Sequence, residues 1–170
     1  MPAFIVLLRA VNVGGTGKLP MAELKAMCTA AGFSKVQTYI ASGNVVFESK
    51  MTPARIRASL EARLESYAGR PVGLVIRTLD EMKAVLKAHP FPKVAPNRAV
   101  AIFLDDPPHP GALADARGLN GEELRLGSRE IYVSYGEGMA QSKLRIPAAK
   151  AGTARNMNTV AKLVALAAAL

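Results

Sequence analysis

Acidic residues run out before the chain does: none follows Glu137, although Lys143, Arg145, Lys150, Arg155 and Lys162 lie beyond it. Tryptophan is absent and aromatics make up only 5% of the 170 residues, so the interior must rest on Val, Leu, Ile, Met and Ala. The single cysteine, Cys28, excludes an internal disulfide and fits a reducing compartment. Two histidines, His89 and His109, lie far from it in sequence and form no zinc-ligand pattern, so neither metal nor cofactor is expected. Long hydrophobic runs are missing too. The longest, Leu163 to Leu170, falls well short of the roughly 20 residues that span a bilayer. The opening Met1-Pro2-Ala3-Phe4 has no cationic segment ahead of its apolar run, unlike a secretory signal. The expected location is the cytoplasm, with no membrane partner.

What is present is hydrophobic bulk, 50% of the residues, and a formal charge of +9. Residues 1–78 hold ten Lys/Arg against four Asp/Glu; residues 79–170 hold twelve against nine. Such a field favours anionic partners, nucleic acid among them, although a bias toward Ala and Arg in the coding sequence would produce the same excess.

Ala3 to Val11 is an apolar, branched run with a Gly-rich exit, the pattern of a buried strand. After the loop from Asn12 to Leu19, Pro20 opens a helix whose Leu24, Met27, Cys28 and Ala31 share one face. Val36–Ile40 and Val45–Phe47 flank Ala41-Ser42-Gly43-Asn44 and predict a hairpin. Thr52-Pro53 starts a second helix with an Ile56, Leu60, Leu64, Tyr67 stripe, and Val72 to Arg77 is a fourth strand. The order β-α-β-β-α-β is that of a ferredoxin-like α+β unit. Beyond it, Thr78-Leu79-Asp80-Glu81 forms a capping box opening a third helix. A strand over 99–104, a short helix over 110–117, a hairpin around Gly127-Ser128 and a helix from about Asn158 follow. Two α+β halves, 1–78 and 79–170, are therefore expected, the second repeating the first in looser form.

Three blocks carry a resemblance. They are Leu7-Leu8-Arg9-Ala10-Val11-Asn12-Val13-Gly14-Gly15 with Lys18-Leu19-Pro20-Met21 and Leu24, then Thr38 through Phe47, then Arg155-Asn156-Met157-Asn158-Thr159-Val160 with Lys162-Leu163. Together they resemble the signatures of the family catalogued as domain of unknown function 1697, along essentially the whole chain. The resemblance implies α+β halves of ferredoxin-like character and an activity that is not established. Ala10 stands where the family usually has glycine, and Met157 where it usually has tryptophan.

Candidate binding residues follow from charge and backbone chemistry. Asn12-Val13-Gly14-Gly15-Thr16-Gly17-Lys18 has the Gly-Lys of a P-loop. However, Asn12 replaces the first glycine and Leu19 the metal-binding hydroxyl, so a nucleotide triphosphatase is not expected. Free N–H groups of Gly14 and Gly15 at a helix N-terminus, with Lys18 beside them, still suit an anion. Arg9 interrupts an apolar run and calls for a partner: a carboxylate, carbonyls or a ligand. Ser42 and Asn44 present polar groups from their turn, or simply satisfy the turn's own backbone. Arg155 and Asn156 precede the last helix where the dipole favours acids and none is present, so an anion fits there. The opposing reading has Arg155 reaching away to other carbonyls.

The expected function is binding of a phosphate- or carboxylate-bearing partner, a nucleotide or nucleic acid backbone, without an identifiable catalytic constellation. A rival is an enzyme for a small anionic metabolite using Lys18, Arg9 or Ser42, although neither histidine has an evident acid partner. A third is an interaction module, a homodimer included, built on the apolar C-terminal helix.

Overall fold

A computed structural model of the chain describes residues 1–11, 18–136 and 141–170. The elements run β1 (Ala3–Leu8), α1 (Met21–Ala30), β2 (Ser34–Thr38), β3 (Asn44–Glu48), α2 (Pro53–Ala68), β4 (Leu74–Thr78), α3 (Leu79–Ala88), β5 (Ala99–Phe103), β6 (Glu123–Leu126), β7 (Glu130–Ser134), β8 (Thr153–Asn156) and α4 (Met157–Ala168). The protein is thus mixed α+β, with two four-stranded antiparallel sheets and four α-helices among the described residues. By contacts the chain divides into two compact units, Met1–Met82 with Lys162–Leu170, and Lys83–Ala161. No helix of the described residues is long and apolar enough to cross a membrane.

In the first unit the strand order is β2-β3-β1-β4. Phe4, Val6 and Leu8 of β1, Val45 and Phe47 of β3, and Leu74 and Ile76 of β4 share one face. Leu24 and Cys28 of α1 and Ile56, Leu60 and Leu64 of α2 pack onto it. Burying each of those Ile and Leu side chains stabilises the fold by about 1.5–3 kcal/mol, more than the helices' own propensities supply. Local signals place the helices. Thr52 accepts from the Arg55 N–H at 3.3 Å and Gly69, at φ 73, closes α2. The capping box forms in full: Thr78 N–H donates to Glu81 Oε1 at 2.9 Å, and Glu81 N–H to Thr78 Oγ1 at 3.1 Å. The other sheet face, Ile5, Leu7, Val46, Val75 and Arg77, is buried as well.

β1 ends at Leu8, not at Val11, because Ala10 takes a left-handed backbone (φ 53) that no strand continues through. β2 is an edge strand whose register shifts between Ser34 and Gln37, with Lys35 at φ 54 and its ammonium 3.1 Å from Glu48.

The second unit has the order β6-β7-β5-β8, the first sheet's order with four added to each label. The correspondence extends to register: Ile5 lies between Val46 and Arg77, and Ala101 between Tyr132 and Arg155. The connections differ. Where a short helix was expected over 110–117, Ala112, Ala114 and Ala116 donate to His109, Gly111 and Leu113 in successive three-residue turns. Such i→i+3 bonds close turns and do not propagate an α-helix. A short 3₁₀ turn, Pro147–Ala149, occupies the place of α2. β8 was not expected at all. Thr-Ala-Arg-Asn has no strand-like alternation, and the strand exists through its pairing with β5, from Phe103↔Thr153 to Val100↔Asn156.

Cys28 is a core thiol, as its helical face implied, and burial pushes its pKa up to about 12 from 9.0. Burial, then Glu130, pushes Tyr132 up to about 12 from 10.0, and its hydroxyl donates to the Val85 carbonyl at 3.1 Å. The folded state holds both protons longer than the unfolded chain does. Their stabilisation is therefore fully present below pH 9 and is lost as pH rises from 9 toward 12. Denaturation midpoints measured across that range should fall. A thiol reagent that labels the urea-unfolded chain at once should leave native Cys28 unlabelled; rapid native labelling would contradict its burial.

Candidate functional site

The end of β1 and the turn between β2 and β3 are joined by one close approach. Leu8 N–H donates to the Gly43 carbonyl at 2.8 Å, and Gly43 has φ 90. A Cβ on Gly43 would sit 2.7 Å from Val11 Cγ2 and 2.9 Å from Leu8 Cβ, so only glycine fits. Within the turn, Tyr39 N–H donates to the Asn44 carbonyl at 3.0 Å. The Asn44 amide donates to the Tyr39 carbonyl and to Ser42 Oγ, each at 2.9 Å. Asn44 is 0% exposed and both its amide protons are used there, so it organises the turn. Ser42 is half-buried. Ile40, 49% exposed, sits at φ 51, a conformation that costs a β-branched residue dearly.

Arg9 follows β1 directly. Its N–H donates to the Gly73 carbonyl at 2.9 Å, its stem lies against Gly73, and its side chain is exposed. Arg9 is therefore not the buried charge that its apolar neighbours imply: the strand ends one residue before it. The buried arginine of this unit is Arg77, 1% exposed, whose Nη1 donates to the Ile76 carbonyl at 3.1 Å. Asn12, Gly14 and Gly15 lie outside the described residues.

Lys18 does reach a cavity. Val11, Lys18 and Leu19 from one segment, and Leu64, Tyr67, Ala68, Arg70 and Val72 from the end of α2 and its exit, enclose about 180 Å³. Lys18 and Arg70 are exposed cations, Tyr67 is 46% exposed, and the floor of Val11, Leu19, Leu64 and Val72 is apolar and largely buried. No acid is among the described residues that line it. Arg70 and Tyr67 were not singled out by sequence. Arg70 belongs to no motif, and Tyr67 falls on the apolar stripe of α2.

Arg155 and Asn156 belong to the second unit, at the end of β8 and just before α4. Arg155 lies in β8, 8% exposed, with Nη1 donating to the Ala154 carbonyl at 2.8 Å; burial lowers its pKa to about 10. Asn156 Oδ1 accepts from the Thr159 N–H at 2.9 Å, and Met157 N–H donates to the Pro96 carbonyl at 3.1 Å. These bonds satisfy two of the N–H groups that an anion there would have used. Met157 is buried. Val160, Leu163 and Ala167 of α4 are buried, whereas Val164 and Leu166 are half-buried.

Base stacking on the first sheet is likewise closed. Phe47 stacks on Phe33 in the helix-side core, ring centroids 4.2 Å apart at 7°, and Ile5, Leu7, Val46, Val75 and Arg77 on the other face are buried and non-aromatic. As for a base, His89 Nδ1 accepts from the Phe91 N–H at 3.3 Å, and burial lowers the ring's pKa. The described residues hold no group of three His, Cys, Asp or Glu able to bind a metal.

The chain belongs to a family described as proteins of unknown function, DUF1697, whose model matches residues 1–132. Among solved structures it is similar to the conserved bacterial protein SP0830 from Streptococcus pneumoniae. The TM-score is 0.80 at 24% identity, over 97% of this chain and 98% of that one, a likeness of fold. No curated protein matches it.

The Gly43 approach and the Ala10 backbone make opposite predictions. Gly43→Ala should lower unfolding free energy by about 2–4 kcal/mol, combining left-handed strain with overpacking. Ala10→Gly should raise it by about 0.5–1 kcal/mol by relieving the same strain. Urea titrations read both; a neutral Gly43→Ala would refute the packing described.

Proposed function

We propose that this protein binds a small phosphate- or carboxylate-bearing molecule in the cavity beside Lys18. The observation that carries this reading is the pairing of Lys18 and Arg70 over an apolar floor, with no acid among the described lining residues. Charge-assisted hydrogen bonds from the two cations hold the anionic group, and the Tyr67 hydroxyl is available to its other oxygens. Arg9, exposed and anchored to the adjoining Gly73, adds to the same field. A volume of about 180 Å³ suits a phosphate or carboxylate on a few carbons better than a nucleoside triphosphate. The Asn12–Lys18 loop belongs to this reading through Lys18; Ser42 and Asn44 support it by holding the turn beside Val11. The same reading takes the chain as two α+β halves, 1–78 and 79–170, the first a ferredoxin-like β-α-β-β-α-β unit. In its support, both sheets share one strand order, β4-β1-β3-β2 in the first.

Thermal unfolding at low salt against inorganic phosphate, small sugar phosphates, dicarboxylates and a short oligonucleotide tests it. Saturating ligand stabilises by about 2.7 kcal/mol at a hundredfold excess over Kd. Lys18→Gln or Arg70→Gln should each weaken binding about ten- to hundredfold, the loss of one charged hydrogen bond. A shift surviving in both variants, or none with any anion, would sink the reading. A shift with the oligonucleotide alone, falling steeply with salt, would replace it with nucleic-acid backbone binding.

A further inference from the structure

Among the described residues each sheet has two outer strands, β2 and β4 in the first unit, β6 and β8 in the second. In an antiparallel pair, the backbone groups of alternate residues face the partner strand and those between them face away. Single bonds fix which is which. Leu8 N–H goes to Gly43 on the β3 side and Arg9 N–H to Gly73 on the β4 side. By the register, the backbones of Val75 and Arg77 then face β1, and those of Leu74 and Ile76 face outward. Leu104 N–H goes to Arg129 on the β7 side, so Thr153 and Arg155 face β5 and Ala154 faces outward. Gly127 N–H goes to Glu130, so Arg125 faces β7 while Leu124 and Leu126 face outward.

Arginine meets an outward carbonyl on each of the three outer strands whose register is unbroken. Arg77 Nη1 donates to the Ile76 carbonyl at 3.1 Å, Arg125 Nη1 to the Leu124 carbonyl at 2.8 Å, and Arg155 Nη1 to the Ala154 carbonyl at 2.8 Å. In each case the arginine's own backbone faces inward, and its side chain turns back over the residue before it. On β4 the other outward carbonyl, that of Leu74, accepts from Arg57 Nη1 of α2 at 2.9 Å. A guanidinium only donates, and its charged hydrogen bond is stronger than the one a neutral amide would offer in its place.

From this recurrence we infer that Arg77, Arg125 and Arg155 shut the sheets' outer strands against pairing with an extended segment of another chain, by occupying carbonyls that such a segment needs. β6 depends on its arginine most. Arg77 and Arg155 lie on strands with buried side chains, whereas Glu123, Arg125 and Leu126 of β6 are exposed and Leu124 is half-buried. An added strand would therefore meet apolar side chains there as well as backbone. The Arg125 guanidinium is held over β6 from both sides, with Glu123 Oε2 at 3.8 Å and the Phe91 ring centroid at 5.9 Å. With that guanidinium removed, the occupant of the β6 edge is the β6 of a second copy.

Arg125→Thr keeps a strand-forming residue and takes away the reach to the Leu124 carbonyl. The Arg125 side chain is 60% exposed, so the change leaves the buried core untouched, and a urea midpoint near that of the native chain checks this. Sedimentation of the full chain over a concentration series reads association. The mass of the variant should climb toward that of a dimer over a range in which the native chain keeps a single mass. Hydrogen exchange places the contact: the Leu124 and Leu126 amides should become protected as the variant is concentrated, and only in the variant. A variant whose mass stays flat, or whose association leaves both amides unprotected, would overturn the inference. So would protection of those amides on concentrating the native chain, since its edge would then be open with Arg125 in place.

Discussion

The hydrogen bond from the Leu8 amide to the Gly43 carbonyl holds the end of β1 against the β2–β3 turn at a distance that no side chain on residue 43 would allow. From that contact the neighbouring geometry follows. Val11 is pressed against Gly43, so the chain leaves β1 through Ala10 in a left-handed turn and carries Arg9 outward. Val11 then forms one wall of the cavity that Lys18 and Arg70 line. Asn44 keeps the turn in shape with its own amide, which leaves the turn's backbone satisfied without a ligand.

The two units apply one strand order with different cover. Helices cover the sheet in the first unit; in the second, Leu113 and the segment through Leu144, Ile146 and Ala149 pack onto it instead. The same substitution explains why the two buried arginines, Arg77 and Arg155, match in register while the surfaces of the units do not. Pairing along the strands is common to both units, and what differs is carried by the connections. Loops that tolerate change while strands hold position are the usual place for binding functions to arise.

Sequence was informative where a signal is local. The Thr78–Glu81 box, the Gly69 cap, the Ser42-Gly43-Asn44 turn and the Cys28 face all depend on neighbours within a few residues, and all are found as expected. It was silent where the cause lies far along the chain. β8 forms because β5 lies beside it, fifty residues earlier in the chain, and nothing in Thr-Ala-Arg-Asn announces this. For the candidate site, Lys18 was legible from its Gly-rich approach, whereas Arg70 reaches the same cavity only through the packing of α2 and its exit toward β4. Arg9 and Arg77 show the same limit in reverse: hydrophobic neighbours marked the wrong arginine as buried, because the strand's end was set by the backbone of Ala10.

The bulge in β2 has a consequence for how copies of this chain meet. An outer strand with a straight, regular row of amides and carbonyls invites a second molecule to extend the sheet, and from there a fibril. Here the row is broken between Ser34 and Gln37, and the break carries a lysine paired with Glu48. On this side the sheet ends in a kink with charge upon it, so growth from molecule to molecule is blocked at the β2 edge. A protein with so apolar a composition is thereby protected along that edge from the β-sheet aggregation its own strands would otherwise seed.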